Sequence, residues 1–66
     1  MRITINGERH EISEQQSIEA LLVHLDLNDK RIALERNGEI LPRSQFASTL
    51  LIDGDNLEII VAVGGG

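Results

Sequence analysis

An α+β fold, one main helix on one face of a mixed sheet of four to five strands, is what this chain predicts. Three observations carry that reading. Asn6-Gly7 and Asn37-Gly38 each lie between strand-like segments, and Asn-Gly is favoured at the centre of a type I′ hairpin turn, which requires positive φ at both residues. Between these turns Ile18, Leu21, Leu22 and Leu25 fall at i, i+3, i+4 and i+7, a single helical stripe. Residues 57–63 carry aliphatic side chains on both faces, as a strand in a sheet interior does.

The elements follow in order. Met1, Ile3 and Ile5 alternate with Arg2 and Thr4, a half-buried strand. Residues 8–12 return from the first turn, polar enough for a sheet edge. Ser17 opens the helix, its hydroxyl placed to accept from an amide of the first turn, and Glu19 complements the positive end of the dipole. The helix is expected to end around Leu27, Asn28 and Asp29. Ile32 and Leu34 begin a third strand, and Glu39, Ile40 and Leu41 return from the second turn until Pro42, which cannot donate to a ladder. Residues 44–51 read as a connection with a helical turn burying Phe46 and Leu50. Asp53-Gly54-Asp55 is a turn. The first and last strands are expected to pair in parallel at the sheet centre, flanked by the hairpins, with Leu57, Ile59, Val61 and Val63 facing the core.

A chain of 66 residues with no Cys is one small domain without disulfides or a Cys nucleophile. That favours a reducing, cytoplasmic setting, and no apolar run approaches the roughly 20 residues of a membrane span. The net charge of −5 and six scattered basic residues argue against a nucleic-acid partner. His10 and His24 lie on different elements without a third ligand, so surface histidines are the expectation rather than a metal site. Asp53 and Asp55 lack the later bidentate Glu of a Ca²⁺ loop, and turn chemistry accounts for them. There is no Walker-type phosphate loop and no nucleophile–base arrangement. The chain is therefore read as a non-enzyme with no bound cofactor.

The sequence runs from the apolar residues 59–63 into Gly64, Gly65 and Gly66. Glycine lacks a Cβ, so such a tail can thread a narrow channel. It presents an unhindered α-carboxylate suited to activation by a partner. Residues 1–63 are assigned to the globular domain and 64–66 to a flexible tail.

The order Asn6-Gly7, helix with Leu21-Leu22, then Asn37 to Arg43 (Asn-Gly-Glu-Ile-Leu-Pro-Arg), Asp53-Gly54-Asp55 and the glycine terminus closely resembles the ThiS sulfur carriers of thiamine biosynthesis. These have the ubiquitin-like β-grasp fold. The resemblance covers essentially the whole chain. It implies that a ThiF-type adenylyltransferase uses ATP to convert the Gly66 carboxylate to an acyl-adenylate. Sulfur from a persulfide donor then replaces AMP, giving a thiocarboxylate that a thiazole synthase of the ThiG type consumes. The partner must supply both the ATP site and the persulfide Cys, since this chain has neither. Ile60 and Ala62, expected to face outward beside the tail, together with Arg43, are the candidate docking residues. The rival readings are a molybdopterin-synthase small subunit, a ubiquitin-like protein modifier and a non-covalent interaction domain.

Overall fold

The computed structural model describes residues 1–62. The expectations placed on Val63, Gly64, Gly65 and Gly66 lie outside the described residues. The elements are β1 (Arg2–Ile5), β2 (Glu8–Glu11), α1 (Ile18–His24), β3 (Ile32–Arg36), β4 (Glu39–Ile40), a 3-10 turn (Arg43–Gln45) and β5 (Asn56–Val61). The five strands lie in the order β2-β1-β5-β3-β4. β1 and β5 are parallel, and every other pairing is antiparallel. The last strand therefore takes the central place that its two-sided apolar pattern predicts.

Both Asn-Gly pairs form the hairpin turns expected of them, with φ of 51° at Asn6, 84° at Gly7, 53° at Asn37 and 86° at Gly38. β2 is an exposed edge of charged residues, and β4 is a two-residue edge closed by Pro42. Short, charged or proline-ended edges resist pairing with other chains.

Ser17 caps α1 by accepting from the Ala20 amide at 3.1 Å. Ile18, Leu21 and Leu22 are buried against Ile3 and Ile5 of β1, Leu34 of β3, and Leu57 and Ile59 of β5. Each fully buried aliphatic contributes about 1.5–3 kcal/mol.

The helix is shorter than the sequence suggests. It stops at His24 because Asp26 turns left-handed at φ 61°. The Leu27 amide then donates to the Leu22 carbonyl, and the Asp26 amide to the Val23 carbonyl. These two bonds make a Schellman ending. Glycine usually holds that position; Asp tolerates it, and nothing in the pattern of apolar residues signals the stop.

The connection from β4 to β5 also departs from expectation. Phe46 is buried, but Leu50 is exposed and Leu51 takes the core position. The cause is an extended segment that pairs Ser17 with Leu50. Ile18 donates to the Thr49 carbonyl and Leu51 to that of Gln16. Extended chain alternates faces at every residue, so Leu51 points in where a helical turn would have brought Leu50.

Candidate functional site

The end of β5 leads to Ala62, the last described residue, and its surroundings follow from ladder alternation. Even-numbered residues of β5 bond toward β3: the Asn37 amide donates to the Asn56 carbonyl, and the Ala62 amide to that of Arg31. Odd-numbered residues bond toward β1: the Thr4 amide donates to the Asp55 carbonyl and the Asn6 amide to that of Leu57, each at 2.9 Å. The β1 ladder stops there because the chain turns at Asn6-Gly7. Its next rung is a side chain. The Asn6 carboxamide accepts from the Ile59 amide at 2.8 Å and donates to the Ile59 carbonyl at 3.1 Å. One side chain thus reproduces the two bonds of a strand residue.

Past that rung the apolar residues change character. Leu57 and Ile59 are buried, whereas Ile60 is 62% and Val61 42% exposed. Val61 lies on the core side as expected, opposite half-buried Ile32, yet remains partly exposed. Ile60 and Ala62 are both exposed, and Ile60 stands opposite exposed Ala33. Next along, Glu58 stands opposite Glu35, which in turn faces Ile40.

Arg43 reaches the same end of the molecule through its anchor. Its Nη2 donates to the Lys30 carbonyl at 2.6 Å, one residue before Arg31, whose carbonyl receives the Ala62 amide. Its guanidinium also lies 5.8 Å from the centroid of the Phe46 ring, within the range of a cation–π contact. Arg43 therefore ties the 3-10 turn to the segment leading into β3. The proposed sulfur-bearing Gly66 and its neighbours Gly64 and Gly65 lie outside the described residues.

The opposite end of β5 holds a different arrangement. Asp55 is the one buried charged residue among those described. Its carboxylate accepts from the Ile52 amide at 2.9 Å, Arg36 Nε at 3.0 Å and Asn37 Nδ2 at 3.1 Å. Burial works to raise its pKa, but the bonds from Ile52, Arg36 and Asn37 and the Arg36 charge outweigh it and hold the group below its ordinary 3.8. Turn chemistry alone, the expectation for Asp55, is thus too modest an account. Asp53 does behave as a turn residue and accepts from the Arg2 amide at 2.7 Å.

A shallow depression of about 460 Å³ borders Arg2, Thr4, Glu11 and Asp53. It lies at the start of β1 and β5, a strand length of about 20 Å from the exit. Among the described residues no group of three potential ligands could hold a metal ion. No helix there is long and apolar enough to cross a membrane. The roles of Asn6, Asn37 and Asp55 went unforeseen because turn propensity explains each residue locally, and apart from Ile52 their partners are 18 to 53 positions away.

Residues 3–66 match the ThiS family. The chain is 32% identical to the sulfur carrier protein ThiS of Escherichia coli K12 over 66 residues, all of both chains. It is 44% identical over 66 residues to a thiazole synthase of Paramagnetospirillum magneticum, of which it spans 20%. Among solved structures, the crystal structure of the thiamine biosynthesis protein ThiS from Geobacter metallireducens superimposes with a TM-score of 0.84 at 33% identity over the whole of both chains. With a parallel central pair, one helix on one face and the whole-length match together, the chain belongs to the ThiS family.

Proposed function

We propose that this chain carries sulfur for thiazole formation in thiamine biosynthesis, on the terminal carboxylate of Gly66. The observation that carries the reading is a family match that extends through residue 66, joined to whole-length likeness to the E. coli carrier. The chemistry supports it. A carboxylate resists nucleophiles because of its charge and poor leaving group. Attack of its oxygen on ATP in a ThiF-type adenylyltransferase expels pyrophosphate and gives an acyl-adenylate. A sulfur nucleophile derived from a persulfide then expels AMP and leaves a thiocarboxylate.

The matched segment within a thiazole synthase supports a synthase as the consumer of that sulfur. The adenylating partner docks on the exposed outer sheet face through Ile60 and Ala62, with Arg43 at its border. Exposed apolar groups beside a reactive terminus fit such a role. The globular part supplies the docking face and leaves ATP and persulfide chemistry to the partners.

The test is removal of Gly65 and Gly66. Sulfur loading by the adenylyltransferase and a persulfide donor is expected to vanish, with the thermal midpoint nearly unchanged, because a chain end contributes little burial. Retained loading would sink the proposal. A large loss of stability would show the glycines to be structural instead.

A further inference from the structure

The two outer edges of the sheet are guarded and the end of β5 is not. β2 presents Glu8, Arg9, His10 and Glu11, and β4 has two residues before Pro42. β5 ends on Ile60 and Val61, followed by Ala62, with no charge or proline. Ladder alternation turns the Val61 N–H and C=O to the side of β1, but β1 pairs with β5 only at Thr4 and Ile5. The Asn6 side chain adds the last rung at Ile59. β1 then departs toward β2, away from β5. Among the described residues nothing stands in the ladder beside Val61, while the β3 side of the same segment is paired through Ala62 and Arg31. An open strand edge with apolar groups on both faces, here Ile60 and Val61, is a template for strand addition.

We propose that an extended segment of the adenylating partner adds to the sheet at this edge, bonding its main chain to the Val61 N–H and C=O. The inference rests on the proposed loading of Gly66. Reach selects the occupant. Four residues follow Ala62, and fully extended they span at most about 14 Å. Any protein that works on the Gly66 carboxylate must therefore come within that distance of this edge, and the adenylating partner is the first to do so. Asn6 is the positioning residue: its carboxamide closes the β1 ladder one rung early and leaves Val61 for the partner. Strand addition would align the tail with the partner's own backbone before adenylation.

Amide hydrogen exchange on the full chain, free and with the ThiF-type adenylyltransferase of the same organism, tests this. Exchange at Val61 should be fast in the free carrier and slowed at least tenfold in the complex. Semisynthetic replacement of the Ile60–Val61 amide by an ester, which deletes the Val61 N–H, should weaken binding about five- to tenfold, the loss of one hydrogen bond. Its thermal midpoint should fall only slightly, because the ester carbonyl of Ile60 is a weaker acceptor toward β3. Unchanged Val61 exchange in a complex that still loads Gly66 with sulfur overturns the edge inference alone. Wild-type chain that binds but never loads overturns the functional reading beneath it. Protection of Val61 in the free protein, with a dimeric mass, would assign the edge to a second copy and also overturn the proposal.

Discussion

The two Asn-Gly turns share a dipeptide and nearly the same backbone angles, yet they hold β5 by different means. At Asn37 the side chain joins a polar cluster built on buried Asp55: it donates to Asp55 and accepts from the Asn56 amide at 2.9 Å. Asn6 grips only main chain, both polar groups of Ile59. The first turn to be reached along β5 fixes its start to a charged cluster around the buried Asp55 carboxylate. The second holds β5 at Ile59, beyond which, among the described residues, nothing pairs with Val61 on the β1 side. A hairpin dipeptide thus sets local geometry, while its neighbours decide whether it acts as an anchor or as a point of exit.

The largest expected effect lies at the anchored end. Asp55→Ala leaves Arg36, Asn37 and the Ile52 amide without their acceptor. It should cost about 2–4 kcal/mol, a fall in thermal midpoint on the order of 10–20 °C. The same group sets an acid limit. Its folded pKa lies below the ordinary 3.8, so its contribution is full above that value and is lost as pH falls through the folded pKa. Denaturation followed from pH 5 to pH 2 should show a decline in wild type that is missing from Asp55→Ala. Parallel curves would remove Asp55 from the account.

A direct contrast of the turns comes next. Asn→Gly keeps positive φ accessible, so it isolates each side chain. Asn37→Gly should cost about 1–2 kcal/mol and leave sulfur loading intact. Asn6→Gly should cost about 1 kcal/mol, since only bonds between neutral groups are lost, and should lower the loading rate. Chemical denaturation and loading assays on both variants measure this. Equal effects on loading would erase the distinction between anchor and exit.

Much of this fold was legible in the sequence because its signals are local. The Asn-Gly turns, the Ser17 cap, the helical stripe and the two-sided pattern of β5 each act within a few residues, and together they imply the parallel central pair. Three features were not legible. The helix stop at Asp26 depends on a left-handed residue that any Asp is free to avoid. The exchange of Leu50 for Leu51 comes from a pairing with Ser17 across the molecule. The Asp55 cluster needs Arg36 brought alongside by β3 pairing, and neither spacing nor charge marks that partner. At the site, the outward facing of Ile60 followed from alternation. The exposure of Val61 did not, because alternation gives a side chain's facing and not how much packs over it.

The smallest effect on stability belongs to the exit. Ile60→Asp replaces a side chain that is already 62% exposed, so unfolding should shift by no more than about 0.5 kcal/mol. Affinity for the adenylyltransferase should nevertheless fall about tenfold. Unchanged affinity in a titration would move docking away from this face.

The most direct test of the central claim is the intact mass of the chain after incubation with ATP, the adenylyltransferase and a persulfide donor. One oxygen of the Gly66 carboxylate should be replaced by sulfur, and fragmentation should place the change on that residue. An unaltered mass, or a branched conjugate through a lysine of another protein, would contradict it.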